Sequence, residues 1–182
     1  LAVADEATGV SLEAEAAAAY RQMAEAARQD GIELVLTAGH QDAAARQSAY
    51  EAAVQSYREA GSKEEDAAAK AATVQPAPEV SEYATGYAAD ILAADSLEEN
   101  TGFADTRAYE WLTAYAAEYG FILRFPQDKV AITGISYESW HFRYVGEEAA
   151  KFMKENNLCL EEFVELAKAQ QEQEALKEAE ME

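Results

Sequence analysis

The sequence predicts an α+β domain, and three observations predict it. Alanine-rich stretches of helical period alternate with short apolar runs of strand length. Glycine, aspartate and proline mark the boundaries between them. No internal repeat or second apolar core appears within the 182 residues, a length that fits one domain and can bury a full hydrophobic core.

Residues 1–11 are small and polar without period, and are expected to form a flexible lead-in. From Ser11 the chain turns helical: Ser11 is a good N-cap, the alanines are strong helix formers, and Glu13 and Glu15 put negative charge in the first turn. The reciprocal capping box is absent, because Ala14 stands three residues on. Leu12, Ala16, Ala19, Tyr20, Met23 and Ala27 fall near one face, and Asp30-Gly31 stops the helix. Residues 32–37 then read as a strand. A second alanine-rich helix is expected over 42–60 with Asp42 as N-cap, and a short one over 62–72 capped by Ser62 with Glu65 three residues on. Pro76 and Pro78 make 74–80 an extended passage. Residues 86–92 read as a strand with Asp90 near its end, and 95–103 as a polar loop. An amphipathic helix follows over 105–119, with Tyr109, Leu112, Tyr115, Ala116 and Tyr119 as its apolar stripe. Residues 121–125 form a strand, 126–134 a loop and 140–145 another strand. Helices are expected over 147–156 and from Leu160 to about Ala169. The domain therefore runs over 12–169, and 170–182 is a charged helical tail.

Composition excludes several classes. With 35 acidic against 14 basic side chains, the net charge of −21 repels nucleic acid and anionic lipid, and serves solubility. The single cysteine, Cys159, rules out an internal disulfide framework and reads as a small buried hydrophobe. No run approaches the roughly 20 apolar residues that span a bilayer. The chain opens on Leu1, which is compatible with a signal peptide or anchor removed ahead of it.

The residues that carry chemistry cluster in two stretches, Ser81-Glu-Tyr-Ala-Thr-Gly-Tyr-Ala-Ala-Asp90 and Tyr137-Glu-Ser-Trp-His-Phe-Arg-Tyr-Val-Gly146. A catalytic zinc wants three protein ligands, an open position for water, and a nearby carboxylate to take that water's proton. Asp90 and His141 are a plausible pair of ligands on two strands. Glu138 precedes His141 by three residues, so a regular strand would turn them to opposite faces. Glu138 is therefore expected in a bend just before the strand, while Trp140 and Phe142 point into the core or wall the site. On spacing alone, a structural histidine on a strand remains the alternative.

The first stretch resembles the Ser-x-His-x-x-Gly-x-Ala-x-Asp motif of zinc-dependent D-alanyl-D-alanine carboxypeptidases. The second resembles that family's Glu-x-Trp-His signature. These enzymes belong with lysostaphin-type endopeptidases and the hedgehog signalling domain in one metallopeptidase superfamily. The similarity extends over roughly residues 15–168. It implies a hedgehog/DD-peptidase-like α+β fold, a small, mostly antiparallel sheet flanked by helices. It also implies zinc as cofactor, Asp90 and His141 as ligands, Glu138 as catalytic base, Ser81 and Trp140 beside the substrate, and peptidoglycan stem peptides as partners. The implied location is extracellular or in a bacterial cell envelope, and the implied state a monomer.

Two positions depart from the pattern. Tyr83 stands where the family carries its first histidine ligand. A phenol with a pKa near 10 loses its proton with difficulty, and its ring reaches further than imidazole, so zinc is expected to bind weakly or not at all. Gln41, in Ala38-Gly-His-Gln41, stands where the family has an arginine for the substrate's terminal carboxylate, and glutamine cannot form that charged bidentate pair. His40 stands one position off and, by the resemblance, faces the substrate pocket rather than the metal. The expected function is a carboxypeptidase-like cell-wall protein, impaired or inactive, that binds peptidoglycan peptides. The alternatives are an active zinc peptidase or endopeptidase using Glu138, and an acidic partner protein working through its tail.

Overall fold

The computed structural model describes residues 1–74 and 81–181, and the side chains of 1–74 and 81–178. The element order is β1 (Ala2–Val3), β2 (Ser11–Leu12), α1 (Ala14–Gln29), β3 (Leu34–Ala38), α2 (Ala43–Glu59), α3 (Glu64–Ala72), β4 (Ala88–Ala93), α4 (Arg107–Tyr115), β5 (Phe121–Phe125), α5 (Val130–Thr133), β6 (Glu138–Tyr144), α6 (Glu147–Glu155) and α7 (Leu160–Met181). Strands β3, β4, β6 and β5 lie side by side in that order, every pair antiparallel. This is the small antiparallel sheet with flanking helices that the sequence implies.

The main core joins α1 to the sheet. Ala16, Ala17, Tyr20, Met23 and Ala27 of α1 are buried in one cluster with Leu34, Leu36, Ile91, Leu92, Trp111, Leu112 and Phe142. All six residues of β4 are buried. That suits a central strand covered on both faces. A smaller cluster of Ala117, Ile122, Ala150 and Met153 seats α6 against β5. Cys159 is buried, as its apolar neighbours suggested.

Several expectations are corrected. Residues 1–11, expected as a flexible lead-in, carry strand β1, whose Ala2 pairs with Leu12 and Val3 with Ser11, while Ala4 is buried in the core. Asp5 holds this hairpin: its carboxylate accepts the Leu36 backbone N–H at 3.1 Å and the Tyr20 hydroxyl at 3.4 Å. Ser11 is therefore a strand residue, and Glu13 caps α1 by accepting from the Glu15 N–H at 2.8 Å. Helix α3 starts after Lys63, which makes no side-chain cap, so Ser62 does not cap it. In α4 the buried residues are Ala108, Trp111 and Leu112, and Tyr115 is exposed, because the helix gives way to a 3₁₀ turn at Ala116–Tyr119 and its stripe rotates. The expected loop 126–134 contains a 3₁₀ turn and α5. Helix α7 runs unbroken from Leu160 into the tail. Of the expected passage 74–80, all but Val74 lies outside the described residues.

Candidate functional site

The site begins with strand register. Asp90 of β4 is the direct partner of His141 of β6, while Ala89 partners Phe142. Residues opposite one another in an antiparallel pair project to the same face, so Asp90 and His141 meet on one side and Ala89 and Phe142 enter the core on the other. Asp90 thus sits mid-strand rather than near a strand end. Glu138 is the first residue of β6 rather than in a bend ahead of it. The pairing of β6 with β5 slips between Leu123–Phe142 and Phe125–Glu138, and this irregularity brings Glu138 round to His141, Oε2 to Nδ1 3.9 Å.

Tyr83 comes from the 3₁₀ turn Glu82–Thr85, closed by Gly86 at φ 78°. A Cβ at Gly86 would stand 2.8 Å from the Glu13 backbone nitrogen, and the Gly86 carbonyl accepts that same N–H. Only glycine allows the turn to dock there, and the docking aims Tyr83 at the strand pair. Its hydroxyl lies 2.7 Å from each Asp90 oxygen and 2.8 Å from His141 Nδ1, and Asp90 Oδ1 accepts from His141 Nδ1 at 2.7 Å.

Charge around His141 sets the proton positions. Burial works to lower the His141 pKa, but hydrogen bonds to Asp90 and Glu82 overcome it and carry it to about 10, so both ring nitrogens donate. Nε2 reaches Glu82 at 3.3 Å. Burial would raise the Glu82 carboxyl, yet the His141 bond and the charges of Arg124, His141 and Arg143 take it down to about 2. Arg124 ties Glu82 at 2.7 Å to Glu161 of α7, which it holds with both terminal nitrogens at 3.0 and 2.6 Å. Burial and the Asp90 charge hold the Tyr83 phenol well above its ordinary pKa. Burial, outweighing the nearby His141, and the carboxylates Asp90, Glu99 and Glu82 raise Glu138 to about 7.

Glu82, Tyr83, Asp90, Glu138 and His141 line one cavity of about 310 Å³, with Arg46, Val74, Ser81, Glu99, Phe125, Ser136, Tyr137 and Trp140. Of the residues singled out from sequence, Ser81, Tyr83, Asp90, Glu138, Trp140 and His141 therefore share one pocket. His40 and Gln41 lie outside its lining. Gln41 reaches it at one remove, its Oε1 accepting from Arg46 Nη1 at 2.9 Å. Sequence reasoning missed Glu82, Glu99 and Arg46. Glu82 lay inside the first motif and could have been found there.

The donor set fits zinc poorly. Zinc takes nitrogen and oxygen ligands at about 2.0–2.2 Å. Here the Tyr83 phenol oxygen, held well above its ordinary pKa, stands at hydrogen-bond distance between Asp90 and His141, where a shared cation would have to lie. Among the described residues, no group of three His, Cys, Asp or Glu side chains is arranged to hold a metal ion.

Comparison with known proteins agrees with the fold. Residues 9–147 match the family described as VanY, D-alanyl-D-alanine carboxypeptidase. The chain is 38% identical over 144 residues to the D-alanyl-D-alanine carboxypeptidase of Enterococcus faecalis, covering 79% of this chain and 52% of that protein. It spans about half the length of the curated relatives it matches. It resembles the structure of VanYB in complex with D-alanine-D-alanine with a TM-score of 0.77 and 33% identity, over 85% of this chain and 82% of that one. It also resembles a mutant of the vancomycin-resistance D,D-pentapeptidase VanY in complex with Zn(II), with a TM-score of 0.75 and 33% identity, over 84% and 83%.

Proposed function

The chain belongs to the family of VanY, D-alanyl-D-alanine carboxypeptidase, and on that premise we propose that it binds the peptide ends of peptidoglycan in the Tyr83–His141 pocket without hydrolysing them. The observation that carries this reading is the Tyr83 hydroxyl seated between Asp90 and His141. An ion in that position would have to displace a buried, doubly hydrogen-bonded phenol and take the proton from His141 Nδ1, both of which oppose binding. What remains is a recessed pocket of polar and aromatic side chains, the kind that fixes a small ligand's orientation. No described helix is long and apolar enough to cross a membrane. In this reading the protein works outside the cytoplasmic membrane, as a monomer, on cell-wall peptides.

A second reading, residual hydrolysis, is favoured by Glu138. A buried carboxyl held near neutrality is poised to exchange a proton with a bound water. One experiment separates the two. The purified chain is dialysed against zinc, its metal content measured, and an acyl-L-Lys-D-Ala-D-Ala peptide is followed by calorimetry and by D-alanine release. The expected result is peptide binding, far less than about one equivalent of zinc, and no D-alanine. Tyr83→His should then raise zinc uptake. Stoichiometric zinc with D-alanine release from the unaltered chain would overturn the non-hydrolytic reading.

A further inference from the structure

Helix α4 gives way at Ala116 to a 3₁₀ turn, which packs against β5 and α6. Ala116 and Ala117 bring only methyl groups to the space where these elements meet, and a recess of about 210 Å³ is left there. Its walls are apolar: Leu112 of α4, Phe121 and Ile122 of β5, Phe142 of β6 and Met153 of α6, each at most 8% exposed. Phe142 and His141 are neighbours on β6 and project to opposite faces of the sheet. The recess therefore lies behind the sheet from the Tyr83–His141 pocket, and the two share no lining residue. An apolar cavity of about 150 Å³ stays dry and admits a guest the size of benzene. This one has room for a short alkyl chain.

The rim supplies a second, independent indication. The exposed residues of the lining are all polar, namely Thr113, Lys154 and Asn157. Lys154 carries three N–H donors, of which one goes to the Ala114 carbonyl. The chain holds 35 acidic side chains, and four of them line the Tyr83–His141 cavity. Four more line the cavity between the N-terminal hairpin and α1. The recess has none among its described lining residues, and Lys154 is the charged group there. Asp128 meets the rim from outside the lining, accepting from Asn157 Nδ2 at 3.4 Å. An apolar recess with a cation at its mouth complements an apolar chain with an anionic end.

We infer that this recess binds a small unbranched carboxylate, its alkyl chain laid against Met153 and Phe121 and its head group received by Lys154. The occupant is a free single-chain acid rather than a bilayer lipid. About 210 Å³ holds one short chain, and a surface with a net charge of −21 repels an anionic bilayer. Affinity comes from the alkyl chain leaving water, and the pair at the rim sets the preference for an acid. The site is separate from the peptide-binding reading above, since the two cavities lie on opposite faces of the sheet.

The test follows the methionine methyl groups of the full chain by NMR as sodium butanoate, hexanoate or octanoate is added. The Met153 methyl resonance should move and saturate, while that of Met23, buried between α1 and the sheet, should stay. Affinity should rise about three- to fourfold per methylene. Octanoate should bind roughly two- to fivefold more tightly than 1-octanol, the range of an exposed ion pair. Lys154→Gln should remove that preference, and Ala117→Leu, which fills the recess, should abolish binding. A Met153 signal that octanoate leaves in place overturns the inference. Affinity independent of chain length, or equal affinity for octanoate and 1-octanol, overturns it too. So does co-sedimentation with phosphatidylglycerol vesicles, which would assign the recess to a membrane lipid. The chain-length series on the unaltered protein decides the matter even where Ala117→Leu does not fold.

Discussion

The two halves of the pocket are built differently. Asp90, Glu138 and His141 come from β4 and β6, the two central strands, and are fixed by register within a buried sheet. Tyr83, Gln41 and Arg46 come from a 3₁₀ turn, the loop ahead of α2 and the first turn of α2. The strand half carries the residues that the resemblance implies. The turn-and-helix half departs from it at Tyr83 and Gln41. Physically, the strand half is closed to change because its charges are mutually paired where water cannot compensate. The turn-and-helix half sits on connecting segments, where a residue can be exchanged without disturbing strand register.

The largest effect should come from breaking the strand half. Asp90→Ala removes the acceptor shared by the Tyr83 hydroxyl and His141 Nδ1, leaving a buried imidazolium with Glu82 as its remaining carboxylate hydrogen-bond partner. Removing one member of a buried charged pair costs about 3–5 kcal/mol, and urea denaturation at neutral pH should show a loss of that size. A loss below about 1 kcal/mol would mean that the strand half is no more rigidly committed than the turns.

A middle-sized effect is expected where the two halves are tied to α7. Arg124, 10% exposed, bridges Glu82 to Glu161, whose side chain is 34% exposed. For Glu161→Gln the screened pair should cost roughly 0.5–1 kcal/mol at pH 7. Burial would raise the Glu161 pKa, but the Arg124 hydrogen bonds win and lower it. A carboxyl whose folded pKa is depressed stabilises the fold above its unfolded value of about 4.3. That contribution is lost as pH falls through the folded value. The unfolding midpoints of Glu161→Gln and the unaltered chain should therefore differ at pH 7 and converge toward pH 3. A gap that is unchanged at pH 3 would assign the effect to packing rather than charge.

The same contrast explains what the sequence made legible. Residues 121–125 read as a strand and form one, since Gly120 and Pro126 punctuate both ends of an apolar run. Asp90 and His141 were recognisable as residues, but their being register partners was not, because register depends on how β4 and β6 meet and leaves no local mark. Glu138 was misplaced for a related reason: the slip between β5 and β6 is a property of the pair. The hairpin of β1 and β2 has two-residue strands, too short to show a period, and depends on Asp5 reaching Leu36 thirty-one residues away. Arg46 was invisible because an arginine among alanines on a helix is ordinarily solvated. Its burial comes from tertiary packing, with the Tyr83 ring 4.4 Å from its Cζ.

The smallest effect should come from removing residues 170–182, and it would sharpen the comparison from the opposite side. The first turns of α7 are held by Glu161 on Arg124, by Glu162 on Lys129 at 2.9 Å, and by Phe163 against Phe152 with ring centroids 6.1 Å apart. Beyond Ala169 every residue with a described side chain is exposed, including Leu176 at 65%. A helix segment without packed apolar surface adds little to stability on its own. Truncation after Ala169 should therefore shift the unfolding free energy by less than about 0.5 kcal/mol and leave peptide affinity unchanged, both measurable on one preparation by urea titration and calorimetry. It also deletes five acidic and one basic side chain, so unchanged affinity would show that the tail's charge plays no part in steering the ligand. A loss of affinity with stability intact would instead connect the tail to the pocket through Glu161 and Arg124. The line between fixed and exchangeable parts of the site would then have to be drawn beyond α7.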